Sequence, residues 1–193
     1  IENSRHLTGR DVAYEILNQH GLSDVQIYEV KGHLSDHYNP SNLTLNLSSE
    51  IYHGTSIASL AVAAHECGHA LQHQEGYKPL TFRNMIVPVC NISQTIGWVA
   101  ILLGLFIGKS SISWLGVLLM SLMLLFQIVT LPVEFDASSR ALSILNDRYL
   151  TEEEYPGAKK MLTAAALTYV AAMLSTLLSL LRIVLMVMSR DRD

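Results

Sequence analysis

Apolar positions fall into two regimes along this chain. Up to about residue 84 they form short stripes among polar residues, and beyond it they merge into three long runs. In the first regime Thr8 and Asp11 resemble a capped helix start, and Val12, Ile16 and Leu17 follow at helical spacing up to Gly21. Residues 25–30 and 43–47 alternate with period two and read as strands of a small β-hairpin, separated by a turn-rich stretch over 31–42. Ser56 to Ala64 has neither Pro nor Gly and reads as helix, continuing through His73 to a stop near Gly76 and Pro79.

The long runs are 85–107, 112–131 and 164–188. The first two are uncharged, the first with Pro88, Asn91 and Gln94 in its leading half, and the third carries Arg182 close enough to its end to snorkel. Each holds about 20 residues or more, enough to cross roughly 30 Å of hydrocarbon. The Gly108–Ser111 link makes the first two an antiparallel hairpin. Residues 132–163 then return on the side of the first regime, with Pro132 opening a helix there. The fold expected is a mainly α integral membrane protein with a small β-hairpin and about three transmembrane helices. Its residues 1–193 form a single membrane-embedded domain.

Composition agrees with this reading: 193 residues are 50% hydrophobic and 16% charged, with mean hydropathy +0.29. Lys78, Arg83, Arg140, Arg148, Lys159 and Lys160 lie on one side of the spans. Lys109, Arg190 and Arg192 lie on the other, so the first side is expected to face the cytoplasm. Cys67 and Cys90 make no disulfide framework and agree with a reducing compartment. The net charge of −4 gives no reason to expect a nucleic-acid partner. The chain begins at Ile1 and carries no signal-peptide pattern.

The chemistry is concentrated in His65-Glu66-Cys67-Gly68-His69, an HExxH pattern on the second predicted helix. Four residues of helix turn through about 400° and rise about 6 Å, so both imidazoles leave one face and can reach one zinc ion. Glu66 lies about 80° around from them, badly placed as a ligand and well placed to act as general base on a metal-bound water. A catalytic zinc needs a third protein ligand. His73 would have to share the ion with His65 across about 12 Å of helix rise, and Glu75 stands where the longer metzincin pattern wants histidine. Glu134 is the better candidate, one turn into the returning helix, where a carboxylate is costly unless a metal compensates it. Asp136 remains the alternative ligand, although it can equally pair with Arg140 four residues on.

HECGHALQH, the apolar hairpin and LPVEFDASSRAL together resemble the bacterial neutral zinc metallopeptidases known as YugP-type membrane proteases. The stretches LSDHYNP and AALTYVAA add to the likeness, which covers essentially the whole chain. The resemblance implies a zincin-like catalytic helix pair, with one zinc ion per chain held by His65, His69 and Glu134 and with Glu66 as catalytic acid/base. It also implies a further N-terminal membrane helix preceding Ile1. More distantly the chain is similar to HtpX and CAAX-prenyl proteases, in which an aspartate usually follows the glutamate ligand by four residues and orients a ligating histidine. Ser138 stands there and Asp136 lies two after Glu134, so the partner of either histidine is left open.

The function expected is zinc-dependent endoproteolysis of membrane-associated or misfolded proteins in the bacterial inner membrane, by a multi-pass protein whose site faces the cytoplasm. Its partners are a protein or peptide substrate and the lipid bilayer. Tyr169, His37, Tyr38 and His53 are candidates to stabilise the oxyanion, and Asp36 to Pro40 reads equally as a turn cluster. Strand 43–47 offers an edge for an extended substrate, or is an ordinary sheet strand. The alternative function is a non-catalytic membrane scaffold or adaptor stabilised by zinc, which would have little use for Glu66.

Overall fold

The computed structural model describes residues 1–190; Arg192, counted above in the charge comparison, lies outside the described residues. In chain order the elements are α1 (Gly9–Gln19), β1 (Gln26–Val30), β2 (His37–Asn39), β3 (Thr44–Ser48), α2 (Ser49–His53), α3 (Ile57–Gln74), α4 (Lys78–Ile107), α5 (Ser110–Arg148) and α6 (Tyr155–Arg190). They pack as two compact units. One holds residues 1–77 with 133–166, the other residues 78–132 with the chain from Leu167 onward.

In the first unit α1 starts as its sequence dictates. The Thr8 hydroxyl accepts from the Asp11 N–H, and the Asp11 carboxylate accepts from the Thr8 N–H, each at 3.1 Å. The stripe Val12, Ala13, Ile16 and Leu17 is buried. It packs with Leu45 and Leu47 of β3, Ala141 and Leu145 of α5, and Ala158 and Leu162 of α6 in one core around α3. Helix α3 is apolar on nearly every side because it is the central element: Leu60, Ala61, Ala63, Ala64, Cys67 and Ala70 are fully buried. It ends where Gly76 adopts φ +64°, a left-handed conformation that lets the Tyr77 N–H turn back to the Gln72 carbonyl at 2.9 Å.

The sheet has three strands in the order β1-β3-β2. The two strands read from the sequence pair in parallel, with Ile27 opposite Leu45, and the hairpin is formed by β2 and β3, with Tyr38 opposite Leu45. Strand β2 lies inside the stretch that the sequence marks as turn, because three residues are too few for alternation to register. Asp36 anchors the hairpin by accepting from the Ser48 N–H at 2.8 Å. Strand β3 is therefore central and offers no edge; the outer strands are β1 and β2.

The second unit consists of α4, the first part of α5 and the later part of α6. All three helices are long and apolar enough to cross a membrane. Their outward side chains are apolar, with Phe106 90% and Leu185 67% exposed, as expected of surfaces covered by lipid. The sequence places a helix start at Pro132, yet α5 runs unbroken through it, as α4 does through Pro88. A break in apolar surroundings would strand several backbone groups, whereas a proline inside a continuous helix forfeits one N–H donor. Helices α4 and α5 meet backbone to backbone at two glycines: a Cβ on Gly116 would lie 2.6 Å from the Gly97 carbonyl oxygen. Gly116→Ile should therefore destabilise the detergent-solubilised protein by about 1–3 kcal/mol, read as a lowered thermal midpoint.

Candidate metal centre

Helices α3 and α5 cross within the first unit, and the candidate site lies on that crossing. His65 meets Ser138 while Gln72 meets Val133, so the two helices run antiparallel there. Their backbones approach at Gly68, where a Cβ would stand 2.7 Å from the Ala137 carbonyl oxygen. The residue between the two histidines of the motif therefore decides how near the second helix can come. That closeness carries Glu134 onto the histidine face: its Oε2 lies 3.2 Å from His65 Nε2 and 3.7 Å from His69 Nε2. The imidazole rings stand edge to face with centroids 4.7 Å apart.

One donor atom from each of His65, His69 and Glu134 falls within 4.8 Å of the others, the one such group among the described residues. Two donors each about 2.1 Å from a tetrahedral ion stand about 3.4 Å apart, and the two distances from Glu134 Oε2, 3.2 and 3.7 Å, bracket that value. Two imidazoles and a carboxylate are also the donor set of a zinc site that keeps one position open. The Glu134 side chain is only 3% exposed, and a carboxylate so deeply buried calls for positive charge beside it. The residues present fit zinc.

Around the donors lies a shell that fixes their orientation. The Gln72 side chain is wholly buried and faces acceptors on one side, the Val133 carbonyl at 2.9 Å and the Asp136 carboxylate at 2.7 Å. Both only accept, so the amide nitrogen must point at them and the amide oxygen must point at His69 Nδ1, 3.0 Å away. That oxygen in turn requires a proton on Nδ1, which leaves the Nε2 lone pair of neutral His69 directed at Glu134. Asp136 is held by Arg140 Nε at 2.6 Å, and Arg140 by Glu75 at 2.8 Å. Ser138 Oγ lies 3.1 Å from His65 Nδ1 and orients that ring.

Glu66 is buried next to the donors and takes no part in the donor group. Its Oε2 accepts from the backbone N–H of Tyr38 on the outer strand β2, at 3.0 Å. Burial tends to lower the pKa of His69, but the Glu134 and Glu66 carboxylates, helped by Gln72, outweigh it and hold the imidazole above its ordinary value. Burial and the charge of Glu66 push the Cys67 thiol up, so this cysteine stays protonated and acts as a small apolar filler.

The other sequence candidates sit as follows. Asp136 is a hydrogen-bond partner of Gln72 and Arg140, outside the donor group. His37, on β2, lies 2.8 Å from the Ser35 carbonyl and reaches toward Asn46. The Tyr38 ring turns away from Glu66 to bond His73 through its hydroxyl, so the backbone of Tyr38 rather than its phenol meets the motif. His53 pairs with Glu29, and Tyr169 lies on α6 in the second unit. Gln72 escaped the sequence reading. Its one signal was its place three residues after His69, on the same helix face.

Site and fold together define a class, a mainly helical membrane protein with a candidate zinc centre between an HExxH helix and a second helix carrying a glutamate. The chain belongs to the family described as "Putative neutral zinc metallopeptidase", which matches residues 1–188. It is similar to the "Putative membrane protease YugP" of Bacillus subtilis (strain 168), at 44% identity over 194 residues covering 100% of this chain and 86% of that relative. No solved structure matches it.

Two outcomes follow from the shell around the donors. Gln72→Leu frees His69 to turn and to change tautomer, and should weaken zinc affinity about 10–100-fold in a competitive chelator titration. Because His69 binds its proton more tightly than an ordinary histidine, the proton competes with metal at higher pH. Zinc affinity should therefore already fall on acidification from above pH ~6.5, the ordinary histidine value. The same titration repeated across pH checks the sign.

Proposed function

We propose that this chain is a zinc-dependent endopeptidase of the bacterial inner membrane that hydrolyses peptide bonds in membrane-associated or misfolded proteins. The observation that carries this reading is the meeting of His65, His69 and Glu134 around one point with Glu66 beside it. Family membership and the membrane-protease relative support it. His65, His69 and Glu134 would hold one zinc ion. Bound there, zinc supplies a Lewis acid for the scissile carbonyl and acidifies a water toward a pKa of about 7.

The chain's own groups do the rest. The Tyr38 N–H holds one oxygen of Glu66 and leaves its other oxygen to take the proton of the attacking water. Glu66 then passes that proton to the departing amine. Gln72 and Ser138 keep the two imidazoles turned toward the same point through the cycle. The excess of Lys and Arg on the motif side of the spans supports a multi-pass arrangement with the site facing the cytoplasm.

Glu66→Gln separates this reading from the zinc-stabilised scaffold. The variant should bind one zinc per chain as the wild type does, by elemental analysis. Its cleavage of an unfolded protein substrate in detergent micelles should fall about 10²–10⁴-fold, the range for a lost general base. Retained cleavage would remove Glu66 from the mechanism, and zinc-loaded wild type that cuts nothing would favour the scaffold.

A further inference from the structure

Between the three long helices of the second unit lies a half-open polar crevice that the metal chemistry does not use. Its volume is about 210 Å³, and Gln94 and Trp98 of α4, Gln127 of α5, and Ser175, Thr176 and Ser179 of α6 line it beside two methionines. No ionisable side chain is among the lining residues. Gln127 Oε1 is buried and accepts no hydrogen bond among the described residues. A polar residue within a span commonly ties it to another span by a hydrogen bond; the Gln127 oxygen makes no such bond among the described residues. The Ser179 hydroxyl donates to the Ser175 carbonyl of its own helix at 2.8 Å, which leaves its oxygen free to accept.

Gln94 and the α6 hydroxyls sit well inside the apolar runs, and Gln127 lies nearer the motif-side end of its run, about 6 Å of helix rise from residue 131. Gln94 stands about 14 Å of helix rise from residue 85 and about 20 Å from residue 107, and Ser175 to Ser179 occupy the middle of 164–188. At that depth alkyl chains surround the unit and have no donor to offer, so an unmatched carbonyl oxygen is costly. The occupant must bring hydrogen-bond donors, must be neutral, and must be at home within the hydrocarbon. A charged headgroup meets neither the neutral lining nor the depth. A polypeptide span does, where a polar side chain or a break in its helix leaves backbone N–H groups free. The space also exceeds that of a single trapped water, being near seven waters at about 30 Å³ each.

We infer that this crevice is a binding subsite for membrane-spanning polypeptides, selecting spans whose helix is interrupted or polar near its middle, with Gln127 accepting from the freed donors. This rests on the peptidase reading and names a substrate class for it. The test uses binding rather than cleavage. The full chain carrying Glu66→Gln is placed in phosphatidylethanolamine–phosphatidylglycerol nanodiscs and titrated with two fluorescent spanning peptides, one uniform Leu/Ala and one with a central Asn-Pro break.

The interrupted peptide should bind about tenfold tighter, the discrimination expected of one or two hydrogen bonds within a membrane. Adding Gln127→Leu, or separately Ser179→Ala, should remove most of that preference while the thermal midpoint holds. Equal binding of the two peptides, as for a crevice filled only by water, overturns the proposal. So does a preference that survives both substitutions, or a crevice closed by a second copy of the chain, detected as a Gln127-dependent dimer. Wild type unable to cut any unfolded protein would defeat the peptidase reading while leaving this binding result as measured, so the two failures are distinct.

Discussion

A carboxylate with almost no access to water, set against two imidazoles, is the constraint around which the first unit is organised. Burying an ionised carboxylate costs several kcal/mol even after relaxation, and Glu134 is buried on a helix whose preceding residues are almost wholly apolar. The charge is tolerable only if α3 brings both histidines within reach, and this fixes the separation, direction and register of α3 against α5. Gly68 permits the separation, since any side chain there would strike the Ala137 carbonyl. The apolar wrapping of α3 by α1, β3 and the later part of α5 supplies the rigidity, because a loosely held helix would let the donors part.

The polar groups just outside the donors extend the same logic. Gln72 matters through direction more than strength: two obligate acceptors fix its amide, the amide fixes a proton on His69, and the proton fixes which nitrogen carries the lone pair. Asp136, Arg140 and Glu75 continue this chain outward to a half-exposed ion pair, which contributes little stability where water screens it. Its value lies in holding Asp136 still. Glu66 is governed separately, from the sheet, through the Tyr38 N–H. The candidate acid/base and the candidate ligands thus have independent supports, as two different chemical tasks require.

The second unit follows the rules of a different solvent. Its outward faces are apolar, its helices touch through glycines, and its prolines lie within unbroken helix because lipid leaves no water to repair a break. Against that background a cluster of amides and hydroxyls around an unmatched oxygen is conspicuous, since polar groups at such depth persist where something uses them.

The sequence by itself determined most of the helices and marked the residues of the candidate site. The Thr8 cap, the α1 stripe, the stop at Gly76, the three long apolar helices, the HExxH pair and the glutamate of LPVEF are all local or periodic signals. The physics that sets them acts within a few residues, so one chain suffices to read them. Tertiary structure alone decided what depends on one segment meeting another. It moved the hairpin to β2 and β3 and left the strand at 43–47 without an edge. It carried α5 through Pro132, made Gln72 and Ser138 the partners of the histidines, and set Asp136 outside the donor group. Each of these follows from which acceptor lies across an interface or from what surrounds a helix, and no spacing along the chain encodes that.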